Sequence, residues 1–242
     1  MASELYLIRH GQASFMQENY DRLTKLGHLQ SQLLGTYLHT HGYVFDACWI
    51  GSLERHQSTY TSLREGYQIE GKHLVDAQIF EKINEHQAAE IHQQYVSELL
   101  EKPENAVLKQ LVAQNEKHDS ELRKEFLKIF FQNTRLWAQG KIHVEGYESF
   151  FDFKKRITQA YETLLESMNH HSKALVISSG GTIAMLIGIL LGLDDEKIIE
   201  LNWQIRNCSI SEFSFSKGKF YLRGFNQVAH FEEKKQELLT YV

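Results

Sequence analysis

The sequence predicts an α/β fold, a three-layer α/β/α sandwich with a mainly parallel central sheet and a helical insertion. Three observations support this prediction. Short apolar runs alternate with stretches of helical periodicity, a pattern typical of parallel strands joined by crossover helices. The run from Lys173 to Ile177 has an unbroken apolar core, as strands buried on both faces do. The length of 242 residues suits one large α/β domain or two small ones.

The strands and helices can be assigned from apolar runs and turn residues. Strands are expected at Leu5 to Ile8, Ala47 to Ile50 and Lys173 to Ile177, and His73 to Val75 is a candidate short strand. Helices are expected after the N-cap residue Thr24 and at Glu54 to Arg64, Ser149 to Met168 and Thr182 to Leu191. Ser209 to Phe215 and Lys219 to Arg223 flank a turn, which predicts a hairpin.

The stretch at about residues 85–145 differs from the rest because it is polar and favours helix. It contains Pro103, the only proline, which suits the first turn of a helix. We interpret the stretch as a helical insertion or cap within a single domain spanning residues 1–242. Its apolar face is supplied by Phe126, Ile129, Phe130, Leu136 and Trp137. These are expected to pack on the helices of the sheet, and docking of a partner or of a second copy in a homodimer is the alternative.

Composition excludes several classes of protein. The net charge of -5 argues against a general nucleic-acid binder. The chain starts without a signal-peptide pattern, and the longest apolar stretch, Ile183 to Leu193, is too short to cross a bilayer. Cys48 and Cys208 form neither a disulfide framework nor a metal cluster, so buried free thiols are expected. We therefore expect a cytoplasmic protein whose partners include neither nucleic acid nor a membrane.

The dipeptide Arg9-His10 stands at the end of the first predicted strand. A histidine can attack phosphorus as a nucleophile, and an arginine can hold phosphate oxygens with two parallel hydrogen bonds. Both side chains are costly to bury unless other groups pair with them. The dipeptide therefore favours a phosphate site, with a solvated strand end as the alternative.

Two further segments point to the same edge of the sheet. Arg55 follows the second strand, in the first turn of a helix, where ligands bind in folds of this class. Gly180 and Gly181 open a helix after the Lys173 strand, and free N–H groups at a helix start attract anions. The two glycines also permit a tight turn without any ligand.

Four segments, in this order, resemble the histidine phosphatase (phosphoglycerate mutase-like) superfamily: Leu7 to Gln12, Arg22 to Gly27, Gly51 to Thr59 and Ile177 to Ile183. The resemblance implies hydrolysis of phosphomonoesters through a phosphohistidine, with no metal and no cofactor. It implies that His10 is the nucleophile and that Arg9 and Arg55 clamp the phosphoryl oxygens. A neutral His10 ring is required for attack.

Ser179 departs from the family pattern, which places a second histidine between the serine and the paired glycines. The expected phosphate-binding set is therefore Arg9, Arg55, Ser179 and Gly180. A serine offers one neutral hydroxyl, so the loss in rate is about 10²–10³ by analogy with removing one transition-state donor. Arg206 and His230 are candidates to compensate, because the C-terminal segment resembles that of family relatives.

Glu81 is the candidate general acid, because its place after the third predicted strand resembles that of the family's acid. Glu85, four residues later, is the rival. A carboxyl in a semi-enclosed phosphate site can have its pKa raised, which suits protonation of the leaving group.

The sequence thus predicts a phosphatase of reduced activity that acts on a small phosphorylated metabolite and releases inorganic phosphate. The alternative is a non-catalytic pseudophosphatase that binds phosphate esters, which Ser179 favours. A mutase is less favoured, because the segment from Ala13 to Tyr20 departs from mutase-like members.

Overall fold

The computed structural model describes residues 3–14, 21–68, 73–87, 90–91, 94 and 120–241. The chain divides into two compact units, residues 1–85 with 156–242, and residues 86–155. The single domain with an insertion at about 85–145 stays a prediction. The predictions that concern Pro103, most of the segment from Ala13 to Tyr20 and the side chain of Phe126 lie outside the described residues.

The first unit contains a mixed sheet with the strand order β3-β2-β4-β1-β5-β6. The strands are β1 Ser3–Arg9, β2 Ala47–Ile50, β3 Gln78–Ile79, β4 Lys173–Ser178, β5 Ile210–Ser216 and β6 Lys219–Gln227. Strands β1 to β4 are parallel, and β5 and β6 add an antiparallel hairpin beside β1. The predicted α/β class, with a mainly parallel sheet, is confirmed.

The α-helices of the described residues are α1 Lys25–Thr40, α2 Glu54–Tyr67, α3 Ser120–Ala138, α4 Phe150–Ser167, α5 Gly180–Leu191, α6 Asp195–Asn202 and α7 Lys235–Leu238. Among the described residues, 3-10 helices span Glu81–Ile83 and Ala229–Lys234. The Thr24 side chain accepts a hydrogen bond from the Gly27 N–H and so caps α1, as the sequence predicts. None of the described helices is long and apolar enough to cross a membrane.

Successive side chains of β1 point to opposite faces of the sheet, and both faces are buried. Tyr6 and Ile8 enter a core that includes Leu34 of α1 and Leu63 of α2. On the other face, a set of apolar side chains from β1, α4, α5 and the hairpin lines one small cavity: Leu5, Leu7, Tyr161, Leu164, Leu186, Leu190, Phe213 and Phe220. Helices therefore cover both faces of the sheet in this unit, as the sandwich requires.

The second unit has its own aromatic cluster around Trp137 of α3. The Trp137 ring lies 5.1 Å from the Phe150 ring and 5.0 Å from the His86 ring, centroid to centroid. Its indole N–H donates to the Glu148 carbonyl at 3.2 Å. Trp137 is thus buried within this unit, as its place on the predicted apolar face of the insertion suggests.

The third strand lies at Gln78–Ile79 and not at His73 to Val75, so the predicted position was wrong. Strand β2 pairs through Trp49 with Gln78, and the Phe80 N–H then donates to the Ile50 carbonyl at 2.8 Å. Leu74 is instead buried in the core on the side of α1 and α2. A short apolar run can be satisfied by packing alone, and periodicity does not separate that outcome from strand pairing.

Candidate active site

The candidate site lies where β1 and β4 end side by side. Arg9 pairs with Ser178 in the parallel register, and the His10 N–H donates to the Ser178 carbonyl at 2.9 Å. The next residue of each strand, His10 or Ser179, is buried at this carboxyl edge. Two residues that lie far apart in the sequence are therefore neighbours at the usual ligand-binding edge of such a sheet.

The His10 ring is held in one protonation state by its surroundings. Its Nδ1 lies 2.7 Å from the Gly11 carbonyl oxygen, which can only accept, so Nδ1 carries the hydrogen. Burial holds the pKa of His10 well below its ordinary value, and the positive charges of Arg55 and Arg9 add to this effect. The ring is therefore neutral, with the lone pair of Nε2 available for attack on phosphorus.

Close backbone packing fixes the loop that follows His10. A Cβ on Gly11 would lie 2.4 Å from the Gly27 carbonyl oxygen, so only glycine permits this approach of the loop to α1. The Gly11 N–H donates to the Thr59 hydroxyl at 3.0 Å, which ties the loop to α2. Because Gly11 also provides the acceptor for His10, these contacts orient the imidazole ring.

Both candidate arginines are buried and positioned by acceptors. Arg9 donates through one terminal nitrogen to the carbonyls of Ile205 and Tyr241, the latter at 2.5 Å. Arg55 forms an ion pair with Asp21, with 2.6 Å between the guanidinium nitrogen and Oδ1. The positive charges of both arginines lower the pKa of His10. Two planar cations beside a neutral histidine suit a phosphoryl group.

Asp21 is a site residue that the sequence analysis missed. One carboxylate oxygen pairs with the Arg55 side chain, and the other accepts from the Glu54 N–H at 2.7 Å. Asp21 therefore holds Arg55 and also satisfies the first turn of α2, where free N–H groups need acceptors. The only sequence signal was its place directly before the Arg22 to Gly27 segment.

The two candidate acids have different surroundings. The Glu81 side chain is exposed in the 3-10 helix Glu81–Ile83. The Glu85 carboxylate accepts from the Gly181 N–H at 2.9 Å, in the first turn of α5. Nearby, the Arg156 side chain donates to the Lys82 and Asn84 carbonyls at 2.8 and 2.9 Å and so secures the segment that carries Glu85. The structure therefore brings Glu85 to the end of β4, where Ser179 lies.

Ser179 contacts His56, which, like Asp21, the sequence analysis did not single out. The Ser179 hydroxyl oxygen lies 2.7 Å from Nε2 of His56, which is fully buried in the first turn of α2. The His56 and His10 ring centroids are 5.7 Å apart. Its only signal was its position directly after Arg55 in the Gly51 to Thr59 segment.

The two residues proposed to compensate for Ser179 make their described contacts elsewhere. Arg206 donates to the Tyr241 hydroxyl at 3.1 Å and lies over that ring. The His230 ring packs against Tyr37 and Phe231, and burial lowers its pKa to about 4. Among the described contacts, neither side chain reaches Ser179, and the imidazole beside Ser179 is that of His56.

The two thiols are buried, and the described residues contain no cluster of metal ligands. Cys48 and Cys208 are both buried, and burial raises the pKa of each to about 12. Within the part of the chain that the structure describes, no group of three or more histidine, cysteine, aspartate or glutamate residues is arranged to hold a metal ion.

These features of fold and site define a histidine phosphatase architecture. A family model of the histidine phosphatase superfamily (branch 1) matches residues 5–126 and 113–228. The chain belongs to this superfamily, as its motifs indicate.

Solved structures of phosphatases and a mutase share the fold. A putative alpha-ribazole-5'-P phosphatase from Escherichia coli str. K-12 substr. MG1655 has a TM-score of 0.64 and 23% identity, covering 94% of this chain and 97% of that chain. A phosphoserine phosphatase from Entamoeba histolytica has a TM-score of 0.61 and 18% identity, covering 94% and 98%. A phosphoglycerate mutase from Bacillus anthracis str. Sterne has a TM-score of 0.60 and 15% identity, covering 97% of each. At these identities the likeness shows the fold alone, and no protein of curated function matches the sequence significantly.

Because His10 and His56 are buried, we expect the folded protein to lose stability in acid. Burial holds the pKa of both His10 and His56 well below the ordinary histidine value. Each ring is neutral in the folded protein and gains a proton on unfolding below about pH 6.5. The free energy of unfolding should therefore fall as the pH drops from 7 to 5, by up to about 1.4 kcal/mol per pH unit for each histidine.

Urea unfolding at pH 7, 6 and 5 measures this effect, with His56→Gln as the variant that removes one contribution. The matched control is His170→Gln, because His170 is exposed. The pH dependence should weaken in His56→Gln and stay unchanged in His170→Gln. An equal pH dependence in wild type and His56→Gln would contradict the prediction.

Proposed function

We propose that this protein hydrolyses phosphomonoesters through a phosphohistidine formed on Nε2 of His10. The observation that carries the proposal is the His10 ring, which is neutral and held by the Gly11 carbonyl near two buried arginines. A histidine that served only to bind an anion would be more useful as a cation. A neutral ring with a free lone pair suits a nucleophile.

The proposed reaction has two steps. Nε2 of His10 attacks phosphorus, the ester P–O bond breaks, and Glu85 gives a proton to the departing oxygen. Water then attacks the phosphohistidine, with the Glu85 carboxylate taking its proton, and the P–N bond breaks to release inorganic phosphate. Arg9 and Arg55 neutralise charge on the phosphoryl oxygens throughout, which is the main requirement of phosphoryl transfer.

The proposed substrate is a small phosphorylated metabolite. Structures with this fold include a putative alpha-ribazole-5'-P phosphatase and a phosphoserine phosphatase, both named for small phosphate esters. The second candidate function is that of a phosphate-ester binder without turnover. It is favoured by Ser179, which gives the site a neutral hydroxyl where the family resemblance places a histidine.

The experiment is hydrolysis of p-nitrophenyl phosphate by the purified protein in the presence of a metal chelator, with acid-labile phosphoprotein trapped during turnover. We expect turnover together with a phosphoprotein that is stable in base, as phosphohistidine is. Neither turnover nor phosphoprotein, with binding of inorganic phosphate retained, would reject hydrolysis and leave the binding function.

A further inference from the structure

His56 is a fully buried imidazole close to the nucleophile, and the two-step reaction above leaves it without a role. It lies in the first turn of α2, directly after Arg55. Its Nε2 is 2.7 Å from the Ser179 hydroxyl oxygen. Burial of a polar ring costs free energy unless its hydrogen bonds are satisfied. The position of His56 beside the site therefore suggests a functional role.

The surroundings of His56 decide which ring nitrogen carries the hydrogen. Among the described residues, Nδ1 has no hydrogen-bond partner. It faces the backbone of Gly51, where an added Cβ would lie 2.2 Å from Nδ1. The Asn84 amide oxygen lies toward the same place, 2.5 Å from that added Cβ, but it accepts from the Ser52 N–H. An N–H on Nδ1 would therefore stay unsatisfied, and orphaned buried N–H groups are rarer than orphaned acceptors. The hydrogen therefore belongs on Nε2, which donates it to Ser179.

Burial also keeps His56 uncharged. It holds the pKa of His56 well below the ordinary value, and the positive charge of Arg55 acts in the same direction. His56 is therefore a neutral donor in the opposite tautomer to His10, whose hydrogen lies on Nδ1.

Donation from His56 determines what the Ser179 hydroxyl can do. A hydroxyl has one hydrogen to donate, and an oxygen that accepts from a ring N–H must direct that hydrogen elsewhere. Ser179 precedes α5, yet its side chain does not cap the helix. The adjacent Gly180 lies beside Asn202 and Arg9, since a Cβ there would be 2.6 Å from the Asn202 amide oxygen and 3.4 Å from the Arg9 guanidinium Nε. Because the contact with His56 is the only described hydrogen bond of the Ser179 hydroxyl, its hydrogen is left for a phosphoryl group bound at the end of β4.

We propose that the Ser179 hydroxyl donates a hydrogen bond to the transferring phosphoryl group, and that His56 is a positioning residue that directs this hydroxyl through its Nε2–H. The inference rests on the proposed function and deepens it. A hydroxyl that accepts a hydrogen bond becomes a stronger donor, because chains of hydrogen bonds polarise one another. The pair His56–Ser179 is then a neutral two-residue donor.

The kinetic test compares two replacements of His56 of similar bulk. His56→Gln keeps an N–H donor near the position of Nε2, whereas His56→Leu removes it. We expect His56→Leu to lower kcat by about 10- to 100-fold, as for other groups that orient a catalytic ligand, with KM little changed. His56→Gln should recover most of that loss. Equal losses in the two variants would show a merely structural role and overturn the proposal.

A double-mutant comparison tests whether His56 acts through Ser179. Ser179→Ala should lower kcat by about 10²–10³, as removal of one transition-state donor does. Adding His56→Leu to Ser179→Ala should cause little further loss, because interacting residues are not additive. Losses that multiply in the double variant would show that His56 acts independently, and the proposal would fail.

Two readouts do not need turnover and so separate this inference from the proposed function. Nitrogen-15 NMR of the ring should show His56 protonated on Nε2 and His10 on Nδ1. Affinity for inorganic phosphate should fall in Ser179→Ala and in His56→Leu and be retained in His56→Gln. If the wild type shows no hydrolysis, the proposed function fails while these results still decide the inference. A hydrogen on Nδ1 of His56, or equal phosphate affinity in all variants, would overturn it.

Discussion

Replacing His10 by alanine should reduce hydrolysis of p-nitrophenyl phosphate by at least about 10⁴-fold, in line with the removal of other catalytic nucleophiles. The reason is geometric as well as chemical. The Gly11 carbonyl directs the lone pair of Nε2 outward from a neutral ring, and the guanidiniums of Arg9 and Arg55 act on that ring. Steady-state rates and trapping of the phosphoprotein are the two measurements, and both signals should disappear together.

A second substitution keeps this test independent of folding. His10→Asn retains an amide N–H near the position of Nδ1, which can still donate to Gly11, but has no nucleophilic ring nitrogen. We expect it to be as inactive as His10→Ala while binding inorganic phosphate. The control is His41→Ala, an exposed histidine at the end of α1, which should leave kcat unchanged. A phosphoprotein that still forms without His10 would exclude it as the nucleophile.

The second large effect is expected from Glu85→Gln, which should lower kcat for an alkyl phosphate by about 10²–10⁴, the range typical of a lost general acid. Glutamine keeps an oxygen that can accept from the Gly181 N–H, so the contact of this segment with α5 is retained. The deficit should shrink for an aryl phosphate, because an acidic phenol departs without a proton. The measurement is kcat for a series of esters whose leaving groups differ in pKa.

Glu81→Gln is the matched control, since Glu81 lies four residues earlier and is exposed. Its rates should equal those of the wild type for every leaving group. If Glu81→Gln showed the leaving-group dependence and Glu85→Gln did not, the two roles would be exchanged. Similar dependence in both variants would place the acid elsewhere in the site.

The choice between Glu81 and Glu85 shows what sequence position cannot resolve. Both glutamates follow the third strand closely. Spacing from the end of a strand predicts where a side chain points only if the backbone stays regular. Here the strand ends at Ile79, and a single 3-10 turn, Glu81–Ile83, then redirects the chain. That turn leaves Glu81 exposed and carries Glu85 toward Gly181 of α5.

Local pattern in the sequence was enough to predict the sheet, apart from the position of its third strand, and to name several candidate site residues. Buried strands, the residues that end them and the glycines that follow are encoded within a few positions of one another. Arg9, His10 and Gly180 were therefore placed at the ends of β1 and β4 before any contact was known. The fold class follows from the same local alternation of strands and helices. The superfamily follows from the sequence motifs that lie between these elements.

Tertiary structure alone decided the partners of these residues. His56 meets Ser179 across 123 positions and Asp21 meets Arg55 across 34, and pairs so distant in sequence leave no local periodic signal. The position of β3 was also decided by pairing with β2, although Leu74 and its neighbours have the apolar character of a strand. The sequence by itself determined β1, β2, β4 and the hairpin, and it placed Arg9 and His10 at the end of β1. Only packing of α2 and α5 against the sheet determined which imidazole lies beside Ser179 and which carboxylate reaches the site, because those contacts depend on distances between elements and not on order along the chain.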